Sequence, residues 1–94
     1  HCLRRKVWRM TAKPLVLVVE DEAALATLLK YNLERENYRV RGVRDGEEAL
    51  IAADEEAPDL VILDWALPSL SGIEVCRRLR QRPATRNVPI LMLT

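Results

Sequence analysis

The chain has 94 residues, a formal net charge of +1, 49% apolar and 31% charged residues, and three glycines, a balance that fits a globular protein and excludes disordered and collagen-like classes. Two cysteines, Cys2 and Cys76, are too few for a disulfide framework, and one domain is the most that this length allows, burying about 60–65% of the surface its unfolded form exposes. Five of the 15 basic side chains and none of the 14 acids fall within residues 1–14, so the remainder carries ten basic against fourteen acidic groups, or −4, and lacks the electrostatic footprint of a nucleic-acid-binding domain.

Residues 1–9 interleave Arg4, Arg5, Lys6 and Arg9 with Trp8 and show no periodicity, with Met10 looking like a natural start, and residues 1–14 carry no acid. They are read as a basic disordered extension outside the fold. Leu15 to Val19 is a short unalternated apolar run after Pro14, expected to be a buried strand. Being followed at once by Glu20-Asp21-Glu22, it is too short for a secretory signal, and no run is long enough to span a membrane, so a cytoplasmic protein is expected.

From Glu22 to Glu36 the apolar residues Leu25, Leu28, Leu29 and Leu33 recur at three- and four-residue spacing, which predicts an amphipathic helix ended by Asn37. Tyr38 to Val43 alternates with Arg39 and Arg41 and is expected at the sheet edge. Asp45 stands three residues before Glu48, a capping-box spacing. The helix it opens would bury Ala49, Leu50, Ala53 and Ala57 and finish in a solvated acidic run, Asp54-Glu55-Glu56.

Leu60 to Leu63 is again continuously apolar and runs directly into Asp64, with Pro68 breaking the chain soon after. Such a run predicts a strand covered on both faces, hence a parallel sheet. Ser71 and Glu74 repeat the capping-box spacing ahead of a helix with Ile73, Val75, Cys76 and Leu79 on its apolar side. Arg77, Arg78, Arg80, Arg82 and Arg86 are assigned to its solvated face and exit, with electrostatic contact to an acidic partner as the alternative. Pro89 to Thr94 reads as a fourth strand with proline at its tolerated first position. Strands alternating with helices throughout predict an α/β, doubly wound parallel sheet with right-handed crossovers.

In a parallel sheet the carboxyl ends of strands share one edge, where open α/β sheets bind ligands. Glu20, Asp21 and Asp64 would converge there. Like charges so close raise one another's pKa, so such a cluster fits a role in holding a cation, and oxygen donors without histidine or cysteine favour Mg²⁺ over zinc. A carboxylate beside that ion can be a passive ligand or can attack phosphorus and become an acyl phosphate, with Thr94 at the end of the next strand supplying a hydroxyl. Taken singly, each acid could instead be a helix cap at a strand end.

Over residues 15–94 these features resemble the receiver domain of bacterial two-component response regulators: Val18-Val19-Glu20-Asp21-Glu22, then Asp64 with Leu67-Pro68 and Gly72, then Thr94. Leu63-Asp64-Trp65-Ala66-Leu67-Pro68 and Thr85 to Thr94 resemble the OmpR/PhoB subfamily in particular, and within it the phosphate-regulon branch. The resemblance implies a flavodoxin-like fold in which Asp64 accepts a phosphoryl group from a sensor histidine kinase and Thr94 is the switch hydroxyl. It also implies that Asp21, Asp64 and the backbone carbonyl of Ala66 bind Mg²⁺, with Glu20 acting through water. The family continues after the fourth strand through a helix, a fifth strand with a lysine and a last helix. The chain is therefore expected to be a truncated receiver, residues 15–94 being its N-terminal part, from a transcription factor whose homodimer face and DNA-binding output domain lie elsewhere.

Three rivals bear on the same residues. A haloacid-dehalogenase-type phosphatase would want a second aspartate two residues after Asp64, where Ala66 stands. A dinucleotide-binding enzyme would want Gly-x-Gly-x-x-Gly after Val19, which is absent. A pseudo-receiver that only binds partners would not need the complete acid set.

Overall fold

The computed structural model describes residues 13–93. Four strands, β1 (Leu15–Val19), β2 (Arg39–Val43), β3 (Leu60–Asp64) and β4 (Ile90–Leu93), alternate with three helices, α1 (Ala23–Arg35), α2 (Gly46–Glu55) and α3 (Gly72–Arg80). Every strand pairing is parallel and the sheet order is β2-β1-β3-β4. The chain thus moves to one side of β1 to lay down β2, then returns to β1's other side for β3. This reversal opens a crevice at the carboxyl ends of β1 and β3.

The unalternated strands are buried on both faces, as their composition requires. Leu17, Val19, Val61 and Leu63 pack against Ala49, Ala52 and Ala53 of α2 and Val75 and Leu79 of α3. Val16, Val18 and Ile62 face the other way, against Leu29 and Leu33 of α1. Asp59 fixes the register at the opposite edge: its carboxylate accepts the Leu15 N–H and its own N–H donates to the Leu15 carbonyl, both at 2.8 Å. β2 lies at an edge, with Arg39, Arg41 and Gly42 exposed.

Several expectations are corrected. Leu28 and Ile73 are 56% and 53% exposed, because α1 and α3 each present a narrower apolar stripe than residue type alone suggests. Ala57 lies past the end of α2 and is exposed, while Ala52 is buried in the core. The acids at the end of α2 are not merely solvated: Asp54 pairs with Arg82, Glu55 with Arg41 and Glu56 with Arg39, tying the helix end to β2 and to the turn after α3.

Of the arginines around α3, Arg77, Arg78, Arg80 and Arg82 are likewise engaged within the chain. Arg77 and Arg78 both bind Glu74, whose carboxyl they hold down at about 2. Arg80 donates to the Arg86 and Val88 carbonyls at 3.0 and 2.6 Å, and the buried Thr85 hydroxyl donates to the Leu79 carbonyl at 2.7 Å. Together these bonds set the turn that delivers the chain from α3 to β4. Cys76 is a half-buried free thiol against the core; Cys2 and residues 1–12 lie outside the described residues.

Candidate functional site

Each of the three acids is brought to the crevice by the end of a strand. Glu20 follows β1 directly, and its N–H continues the ladder by donating to the Val43 carbonyl at 3.1 Å. It is 4% exposed, and its carboxylate accepts the Glu22 N–H at 3.0 Å. Asp21 occupies the exposed bend between β1 and α1. Asp64 is the last residue of β3, half-buried, with Oδ1 accepting the Ala66 N–H at 3.2 Å. One carboxylate oxygen from each of Glu20, Asp21 and Asp64 lies within 4.8 Å of the others.

The electrostatics follow from this crowding. Burial pushes the Glu20 carboxyl above its usual range, the Glu22 N–H opposes that, and the charges of Asp64 and Asp21 push it further up. The group is all oxygen, without imidazole or thiolate, and it sits at a sheet edge open to solvent on the Asp21 side. That donor set fits a hard cation, whose charge would relieve the repulsion.

The loop after Asp64 is held close to the strand end by a glycine. A Cβ on Gly72 would stand 2.5 Å from the Asp64 carbonyl oxygen and 3.1 Å from the Trp65 Cα, so no larger residue fits without moving the backbone that carries Asp64. The Gly72 N–H donates to the Trp65 carbonyl at 3.2 Å. Between them the loop turns through Ser69, whose φ of 63° is left-handed, and buries part of Leu67 and Leu70 in the core. Trp65 remains 51% exposed beside the acids.

Of the residues singled out from sequence, Glu20, Asp21 and Asp64 meet, and Ala66 is bonded to Asp64 through its N–H. Thr94 lies outside the described residues; the preceding Leu93 is in register with Asp64. A residue given no role by sequence also reaches the site. Arg44, one position past β2 on the same edge, donates from Nη2 to the Asp21 carbonyl at 3.3 Å. Its only sequence signal is that it follows a strand ending on that edge.

The sequence profile of the response regulator receiver domain matches residues 16–94. The chain is 59% identical over 81 residues to the phosphate regulon transcriptional regulatory protein PhoB of Rhizobium meliloti, covering 86% of this chain and 36% of that protein. It is 57% identical over 79 residues to the alkaline phosphatase synthesis transcriptional regulatory protein PhoP of Bacillus subtilis, covering 84% of this chain and 32% of that one. The chain therefore spans about a third of the length of these curated relatives. Among solved structures, the receiver domain of a Pseudomonas aeruginosa sensor histidine kinase superposes with a TM-score of 0.84 at 35% identity, covering 88% of this chain and 68% of that one. That structure holds a magnesium ion coordinated in its active-site cleft.

Proposed function

The chain belongs to the response regulator receiver domain family, and from that premise we propose that Asp64 is the acceptor of a phosphoryl group from a sensor histidine kinase. A receiver of this kind is a phosphorylation switch within a two-component system. The observation that carries the assignment is the meeting of three carboxylates within 4.8 Å at the crevice, with Asp64 on the rigid end of a central strand.

The Ala66 N–H holds Oδ1 of Asp64, leaving Oδ2 to attack the phosphorus of a phosphohistidine. A P–O bond forms as the P–N bond breaks, and the imidazole leaves with the electron pair. Glu20 through water, Asp21, Asp64 and the backbone carbonyl of Ala66 would hold Mg²⁺. When bound, that ion supplies charge neutralisation to the phosphoryl oxygens. The Thr94 hydroxyl would then bind one of those oxygens and bias the domain between two conformations.

For the whole protein, we propose that residues 15–94 are the N-terminal part of a receiver joined to a DNA-binding output domain. It would act in the cytoplasm as a transcriptional regulator and form homodimers. The support is the identity to PhoB and PhoP over their receiver portion, together with the finding that no helix among the described residues is long and apolar enough to cross a membrane.

The test is intact mass after incubation with Mg²⁺ and acetyl phosphate, with folding checked by circular dichroism. One labile phosphoryl adduct is expected on the chain and none on Asp64→Asn. A folded chain that takes no adduct would overturn the assignment and favour a partner-binding pseudo-receiver.

A further inference from the structure

We propose that Arg44 is a positioning residue for the cation site, holding Asp21 in place through its main chain; the inference rests on reading Asp21 as a ligand. Asp21 sits in an exposed bend, free of the packing that fixes Glu20 and Asp64. Arg44 bridges that bend to the neighbouring element. Its Nη2 donates to the Asp21 carbonyl at 3.3 Å, and its own N–H donates to Glu48 Oε1 at 3.3 Å. Glu48 is in turn anchored, its N–H donating to Asp45 Oδ1 at 2.8 Å at the start of α2. The ladder bond from the Glu20 N–H to the Val43 carbonyl runs alongside. Arg44 also lines an open cavity of about 250 Å³ together with Glu20, Ala23, Thr27 and Gly42, and a Cβ on Gly42 would meet nothing within 4 Å.

Two effects of this cation oppose each other. Its charge repels a divalent ion, but the side chain is exposed, so solvent and salt screen that repulsion. Its bond orients the residue that carries a ligand, and loss of such outer-shell support commonly weakens metal binding about 10–100-fold. An exposed bond of 3.3 Å belongs at the lower end of that range. Positioning wins over repulsion, so removing the positive charge should weaken cation binding, contrary to simple charge counting.

Calorimetric titration with Mg²⁺ alone, on the chain and on Arg44→Ala, Arg44→Lys and Arg44→Glu, distinguishes the two. Arg44→Ala should bind about tenfold more weakly, Arg44→Lys should recover part of the loss, and Arg44→Glu should bind no better than Arg44→Ala. Tighter binding by Arg44→Ala, and tighter still by Arg44→Glu, would mean that charge dominates and would overturn the inference. So would a variant that melts earlier without Mg²⁺ yet binds it with unchanged affinity, since that is a structural role only. If the unmodified chain binds no Mg²⁺, the reading of the acid cluster falls and this inference with it. If it binds Mg²⁺ and takes the phosphoryl adduct while Arg44→Ala binds as tightly, only the inference falls.

Discussion

Glu20 has almost no contact with solvent and two carboxylates for neighbours, so its proton leaves later in the folded chain than in the unfolded one. As pH rises from the ordinary value of 4.5 toward the raised one, the unfolded state ionises first and stability falls; above the raised value the cost persists in full, and below 4.5 it vanishes. Glu20→Gln keeps an oxygen for the Glu22 N–H but removes the charge. It should be more stable than the parent in urea unfolding at pH 7 without divalent ions, with the gain gone at acid pH, and should bind Mg²⁺ more weakly. Equal stability of the two proteins at pH 7 would show that the burial cost is absent. The acids themselves were legible because each interrupts an apolar run at a strand end. Arg44 and Asp59 were not, since what they bond is the main chain of segments far away in sequence, which no spacing rule encodes.

At the level of elements, the capping spacings identified the starts of α2 and α3 but only half of each box forms. Asp45 and Ser71 accept the N–H of Glu48 and Glu74, whereas the glutamate side chains turn to the Arg44 N–H and to Arg77 and Arg78. The Glu74 pairs have the opposite pH sign to Glu20: their contribution is in place above 4.5 and is lost as pH falls toward about 2. Packing of α3 on the site is the stricter constraint. Gly72→Ala forces a methyl against the Asp64 carbonyl, so it should destabilise the fold by about 2 kcal/mol and lower the rate of adduct formation with acetyl phosphate, because the backbone bearing Asp64 must yield. Normal stability and phosphorylation in that variant would mean the loop can move away at little cost. Gly46 is similarly confined, a Cβ there standing 2.7 Å from Leu70 and Val75 side chains. Leu28 and Ile73 were misjudged because helical periodicity gives a face, while the width of that face depends on how closely the sheet approaches.

For the molecule as a whole, strand type was legible for three strands: the alternating run of β2 lies at an edge and the unalternated runs of β1 and β3 are central, whereas β4, equally unalternated, is an outer strand among the described residues. The two edges differ in protection. β2 presents Arg39 and Arg41, each in an ion pair, whereas β4 carries no charge and leaves Leu91 54% exposed. The parallel order has a further effect on the acids. Parallel strands cannot close as a local hairpin, so Glu20 and Asp21 meet Asp64 only when β1 and β3 are zipped across an intervening strand and two helices. The unfolded chain keeps Asp64 away from Glu20 and Asp21, so an ion that needs all three would recognise the native state alone. Binding and folding then share one equilibrium, and an ion at a hundredfold excess over its Kd would add about 2.7 kcal/mol to the stability of the domain. With such an ion bound at the three acids, the persistence of the fold itself would become a gauge of the divalent ions around it.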